Sequence, residues 1–302
     1  MRREDLFLKK PTSKNEKNNI IFLDINGVIM PEPETYQHRF DHDLDALKNY
    51  LYKKYGNPEF LKVGPYDIGA AFYDFDFVAV ARLHQILDKC DAKIVLSTDW
   101  RNNGTLEMLK TCFEIYGLED YVIDKCRGDD FEHGIFTRKK DEIISYVDNH
   151  DIDKYLIFDD CDMTQTFKEH FRKTHYLLTE DDYWYSNMYF NNDLEVIEDE
   201  QHFYLKKKNN NVIVLTVNKE YMNGNDANVL YIYVDDKYDK HYLEYLINYL
   251  YNKDIDYLVL NRKNIKEECI NHHFDNYGLF TYRVGDNYNS INDVKRRILK
   301  RS

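Results

Sequence analysis

The sequence predicts an α/β protein with a mainly parallel sheet, an insertion after the first strand, and a second, smaller α/β domain. Three observations carry this. Asn19–Leu23 (NIIFL), 93–96 (KIVL) and 155–158 (YLIF) are short, nearly all-apolar runs of the kind that lie buried in a parallel sheet. Each runs straight into a polar cluster. Between them, apolar residues recur near a 3.6-residue period, and strands alternating with such helices make βαβ units. Ligands of these sheets bind at the carboxyl ends of the strands, where the polar clusters fall.

In chain order, residues 1–18 are charged and polar and are expected to form a flexible arm before the first strand. Residues 31–75 then break the strand–helix rhythm with Pro31, Pro33, Pro58 and Pro65 and many aromatics, as an insertion covering the site would. Helices are expected over 76–89, where Phe77, Val80, Leu83, Ile86 and Leu87 share a face, and over 105–116 and Lys139–Asn149. An acidic and aromatic stretch, 177–201, closes a first domain over 19–200. The second domain, 202–302, is expected to read strand (211–217), strand (229–234), helix (240–251), strand (257–260), helix (265–276), strand (279–284) and a helix from about Ser290.

Composition narrows the function. The 27 tyrosines and 17 phenylalanines supply a core. A net charge of −13 repels phosphate backbones, so nonspecific nucleic-acid binding by the whole chain is not expected. The basic run Lys295, Arg296, Arg297, Lys300 and Arg301 suits the C-terminal end of a helix. Cysteines at 90, 112, 126, 161 and 269 have neither disulfide-framework nor zinc spacing. With no signal-peptide run and no apolar stretch of membrane-spanning length, a cytoplasmic location and no membrane partner are expected.

Four clusters bear chemistry. In FLDINGVIM, Asp24 ends a buried strand and Gly27 lets the chain turn closely around whatever the carboxylate holds. An aspartate there can attack phosphorus, or it can simply cap a turn. In LSTDWR, Ser97 or Thr98 can hydrogen-bond a phosphoryl oxygen and Arg101 can add a charge-assisted contact; an N-cap is the plainer role. RKKDEI offers Lys139 or Lys140 to neutralise charge on a transferred group, or to sit in solvent. In YLIFDDCDM, Asp159 and Asp160 are adjacent carboxylates, with Asp162 two residues on; acids aimed at one point need a cation between them, and Mg²⁺ fits.

In this order the four clusters resemble the motifs of the haloacid dehalogenase (HAD) superfamily, with its Rossmann-like parallel sheet. The stretch AVARLHQIL…KIVLSTDWR…IFDDCD is similar to the HAD domain described from Swiss Army Knife RNA repair proteins, over roughly residues 19–180. The resemblance implies that Asp24 is nucleophile and Mg²⁺ ligand, that Ser97 or Thr98 binds phosphate, that Lys139 is the cation, and that Asp159 and Asp160 bind metal. It implies a Mg²⁺-dependent phosphohydrolase or phosphotransferase acting through an aspartyl-phosphate, on a small phosphorylated substrate, a nucleotide or a nucleic-acid end.

Asn26 departs from that pattern: phosphatases of the superfamily carry there an aspartate that protonates the leaving group and activates water. The resemblance implies that the metal contact is kept, because in that superfamily this residue contributes its backbone carbonyl. An amide transfers no proton, which leaves three outcomes open: hydrolysis of substrates with good leaving groups, phosphoryl transfer or a long-lived phosphoenzyme, or phosphate binding without turnover. His38, His42 and His84 are candidate substitute acids. Residues 202–302 resemble the later half of the GNAT acyltransferase fold in their strand–helix rhythm. Lys237, Tyr238, Asp239, Lys240 and His241 stand where that family's glycine loop would be, so an accessory domain is the simpler expectation beside an acyltransferase-like module.

Overall fold

The computed structural model describes residues 18–32, 38–102, 104–128, 137–174, 176–192, 194–198, 203–207, 212–213, 216–221, 228–233, 245, 249, 257–261 and 281–283. The expected arm therefore lies almost wholly outside the described residues.

The first strand, β1 (Asn19–Leu23), is buried along its whole length. It has a neighbour on each side because both of its faces are apolar. The insertion that follows is helical. A 3-10 turn (His38–Asp41) leads to α1 (Leu44–Tyr55), capped by Asp43 and stopped at Gly56, whose φ of 72° is left-handed. A 3-10 turn (Pro58–Leu61) and α2 (Pro65–Gly69) come next, each with its proline at the first helical position. Pro58 and Pro65, which look like breaks in the sequence, are helix starts, where a missing N–H is harmless. A π-turn at Ala70–Asp74 follows, in which Asp74 is buried and takes the Arg39 guanidinium at 3.0 Å.

Helix α3 (Phe77–Cys90) begins at Asp76, whose Oδ1 accepts from Ala79 N at 2.8 Å, and buries Val80, Leu83, Ile86 and Leu87. Then come β2 (Ala92–Leu96), α4 (Leu106–Glu114), β3 (Val122–Lys125), α5 (Lys139–Asn149), β4 (Lys154–Asp159), α6 (Thr164–Phe167), β5 (Phe171–Lys173) and α7 (Glu180–Asn191). The five strands form one parallel sheet in the order β3-β2-β1-β4-β5. This is the Rossmann-like architecture expected. On one face Ile20, Phe22, Val95 and Ile157 pack with Ile143, Phe167 and Phe171, and the Tyr146 ring stands edge-on to Phe22 at 5.5 Å.

The edge strands β3 (VIDK) and β5 (FRK) and helix α7 are not legible from periodicity. The first two are too short and too polar to signal. Helix α7 (EDDYWYSNMYFN) buries Asp182, Tyr185, Ser186, Met188, Tyr189 and Phe190, a helical face on which Asp182 and Ser186 are polar, so it shows no apolar stripe in the sequence. It packs on α3. Contacts divide the chain between Asn191 and Asn192, ahead of the end of the acidic-aromatic stretch.

The second unit contains a three-stranded antiparallel sheet of β6 (Leu194–Glu198), β7 (Phe203–Lys207) and β8 (Val212–Ile213). Its four-stranded sheet is built from β9 (Thr216–Tyr221), β10 (Asn228–Tyr233), β11 (Tyr257–Asn261) and β12 (Thr281–Arg283), in the order β12-β11-β10-β9. Only the β9–β10 pair is antiparallel. The strand expected over 211–217 is split between β8 and the start of β9. Of the helix expected over 240–251, Tyr245 and Tyr249 are described and both are helical; the helices expected over 265–276 and from Ser290 lie outside the described residues. Among the described residues no helix is long and apolar enough to cross a membrane.

Candidate active site

Strand order reverses at β1, which has β2 on one side and β4 on the other, so a crevice opens beyond the carboxyl ends of these strands. Asp24 stands there. Its N–H continues the ladder to the Phe158 carbonyl at 3.0 Å, and its Oδ1 accepts from Ile25 N at 2.8 Å. The chain then folds sharply: Val28, Ile29 and Met30 all donate to the Ile25 carbonyl, at 3.2, 3.0 and 3.0 Å. Gly27 is needed twice. Its φ is +68°, and a Cβ on it would come within 2.7 Å of Asp160 Cβ and 2.8 Å of Glu32 Oε1. Thr174 Oγ1 donates to the Gly27 carbonyl at 2.7 Å, tying this turn to the end of β5.

Asp159 is the last residue of β4 and is fully buried. Lys139, the first residue of α5, places Nζ 2.8 Å from Asp24 Oδ2 and 2.9 Å from Asp159 Oδ2. Burial and the Asp24 carboxylate push Asp159 up to about 7, although Lys139 and the Cys161 N–H draw it the other way. Burial alone would lower Lys139, but the two carboxylates outweigh it and hold the ammonium above lysine's ordinary value. Of the two lysines that open the helix, Lys139 is the one that reaches the acids.

Asp160 lies against Gly27, its carboxyl bonded to that of Glu32. Burial disfavours its charge, yet this bond and others keep it below the usual carboxylate range. Glu32 was not singled out from sequence, because it opens the irregular insertion and carries no spacing signal. Ligand atoms of Asp159, Asp160 and Cys161 lie within 4.8 Å of one another. Burial and the flanking acids push the Cys161 thiol up to about 11, and its sulfur is a softer donor than a carboxylate oxygen. The other two donors of this group, the Asp159 and Asp160 carboxylates, are oxygen. They suit a hard divalent cation.

Ser97 and Thr98 follow β2, with Ser97 N–H bonded to the Leu23 carbonyl at 3.0 Å, directly beside Asp24. Both are buried, at 0% and 1% exposure. Thr98 Oγ1 accepts from Trp100 N at 3.4 Å at the head of the 3-10 turn Asp99–Asn102, while Ser97 Oγ has no partner among the described residues. A buried hydroxyl without a partner costs free energy unless a ligand supplies one, which favours Ser97 over Thr98 for phosphate. Asn26 Oδ1 is likewise buried without a partner among the described residues.

Three sequence candidates fall elsewhere. The Arg101 guanidinium is directed into the protein: it makes a bidentate pair with Glu142 at 2.8 and 3.0 Å and reaches the Thr98 carbonyl at 2.8 Å, leaving it committed internally rather than to a phosphate. His84, on the C-terminal half of α3, pairs with Asp88 at 3.3 Å and packs on Tyr121, just before β3. That is the amino end of the sheet, away from Asp24. His42 stacks on Tyr73 within the insertion at 3.8 Å.

Searches among curated proteins and among solved structures find no match to this chain. A family model described as the HAD domain in Swiss Army Knife RNA repair proteins matches residues 20–183, which span the parallel sheet from the second residue of β1 onward and every residue of the site above. The match covers 164 of 302 residues, more than half the chain, and the five-stranded parallel sheet is consistent with it. The chain therefore belongs to the family of HAD domains described from Swiss Army Knife RNA repair proteins, and its chemistry is of the HAD phosphohydrolase or phosphotransferase type.

Proposed function

We propose that this protein is a Mg²⁺-dependent phosphomonoester hydrolase or phosphotransferase working through an aspartyl-phosphate on Asp24, with a nucleotide or a nucleic-acid end as substrate. The observation that carries it is the Lys139 ammonium held between the Asp24 and Asp159 carboxylates at the strand ends. Mg²⁺, held by Asp24, Asp159, Asp160 and the Asn26 carbonyl, would orient the phosphate and offset charge on it. Asp24 attacks phosphorus through a carboxylate oxygen; the new P–O bond forms as the bond to the leaving oxygen breaks. Lys139 balances the charge on the equatorial oxygens, and the unpartnered Ser97 hydroxyl donates to one of them.

The departing oxygen needs a proton, and the Asn26 carboxamide has none to give. Substrates with good leaving groups are therefore favoured. The same absence of an acid at Asn26 also supports a second reading, in which phosphate binds without turnover. Phosphate release from an aryl phosphate, from nucleotides and from 5′- and 3′-phosphorylated oligonucleotides separates the two, using wild type, Asp24→Asn and Asn26→Asp with Mg²⁺ or EDTA. Metal-dependent turnover lost in Asp24→Asn supports the enzyme. Asn26→Asp is expected to gain about 10²–10⁴ in rate, the worth of a general acid. Silence from wild type with activity gained in Asn26→Asp favours the second reading, and silence from both refutes the assignment of Asp24.

A further inference from the structure

Arg101 and Glu142 form a buried ion pair between two parts of the site that are remote in sequence. Their side chains are 3% and 2% exposed, and the residues are 41 apart in the chain. Arg101 closes the loop carrying Ser97 and Thr98, with Nη1 donating to the Thr98 carbonyl at 2.8 Å and the Ser97 carbonyl at 3.4 Å. Glu142 stands one turn beyond Lys139 on α5 and also accepts from Thr137 Oγ1. Helix α5 has no side-chain N-cap of its own, since Arg138 occupies that position without capping. Its first turn, where Lys139 sits, is the part of a helix most prone to fray.

The surroundings hold the pair in place. Lys125 Nζ, from the end of β3, donates to the carbonyls of Arg101 and Gly104 at 2.6 and 2.7 Å. Gly128 has a φ of +75°, and a Cβ there would press on Arg101 Cγ and Asn102 Oδ1. An apolar pair would fill the same volume, but it would not set an angle. A bidentate guanidinium–carboxylate pair does.

We propose that the Arg101–Glu142 pair is a positioning device, which fixes the first turn of α5 against the Ser97–Thr98 loop and so sets Lys139 at the correct distance from the phosphate-binding hydroxyl. Arg101 touches no substrate in this scheme. The proposal rests on the phosphate-site assignment made above.

The test is binding of inorganic phosphate to the full chain, by calorimetry at fixed Mg²⁺, with melting curves on each variant. Neutralising both partners together (Arg101→Gln with Glu142→Gln) leaves no orphaned buried charge. It is expected to weaken phosphate about ten-fold, the size of one charge-assisted hydrogen bond. In a Lys139→Met background the same double change is expected to cost less than about two-fold, because the group it positions is gone. If the neutral pair fails to fold, Glu142→Asp, which keeps both charges on a shorter arm, carries the same comparison. Unchanged affinity in the paired variant overturns the proposal, as does a ten-fold loss that persists without Lys139, which would mark general structural damage. Failure of the wild type to bind phosphate overturns the site assignment and the positioning role together.

Discussion

Replacing Lys139 by methionine tests the centre of the site without relying on any substrate. The side chain is 19% exposed and bridges Asp24 at 8% and Asp159 at 0% exposure. Methionine keeps most of the volume and removes the charge, so two buried carboxylates face one another with no cation between them. Breaking a buried ion pair in this way costs about 3–5 kcal/mol. At roughly 2–4 °C per kcal/mol for a domain of this size, the melting temperature in EDTA should fall by roughly 6–20 °C. Much of that cost is the orphaned charge rather than lost attraction, so a second change, Asp159→Asn, should restore part of the loss in the Lys139→Met background. The same change made alone should destabilise the wild type, since it removes one of the two partners of Lys139. Thermal melts of the four proteins complete the cycle. A Lys139→Met protein as stable as wild type, or a double variant less stable than Lys139→Met alone, would refute the argument that Lys139 neutralises both acids.

Gly27→Ala should lower Mg²⁺ affinity and turnover more than stability: the left-handed φ costs about 1–2 kcal/mol, and the new Cβ must displace Asp160. Mg²⁺ at a hundred times its dissociation constant should stabilise the wild type by about 2.7 kcal/mol, and Asp160→Asn should abolish the shift; an equal shift in the variant would remove Asp160 from the metal site. His170 gives a pH prediction distant from that site. Burial lowers it to about 4, as it stacks on Tyr155 at 4.5 Å with Nδ1 bonded to the Tyr189 hydroxyl. Its folded value lies below its unfolded one, so the unfolded chain takes up the proton first and stability falls as pH drops from about 6.5 toward about 4. The side chain is still 36% exposed, which makes the effect modest; denaturation midpoints at pH 7.5 and 5 should differ less in His170→Gln.

What could be read from the chain was what strong local signals carry. NIIFL, KIVL and YLIF must be buried on both faces, and each delivers its next residue to one end of the sheet, which is why Asp24, Ser97 and Asp159 were legible as a set. Helix α5 was legible to the residue, from Lys139 to Asn149. Helix α7 and the edge strands β3 and β5 were not, because α7 buries the polar Asp182 and Ser186 on its inner face and the two strands are too short to show alternation.

By itself, then, the sequence determined the fold class, the order of the strands' polar ends and the kinds of atom that meet there, because strand periodicity and chain direction are local properties. Tertiary structure alone decided which side chains meet. It set Lys139, the lysine the resemblance had already implied, between Asp24 and Asp159, left the Ser97 hydroxyl without a partner among the described residues while Thr98 holds a turn, brought Glu32 against Asp160, and turned Arg101 inward onto Glu142. The physical reason is direction: adjacent side chains differ in the way they point, and only the packing of distant segments fixes which of them finds an opposite charge.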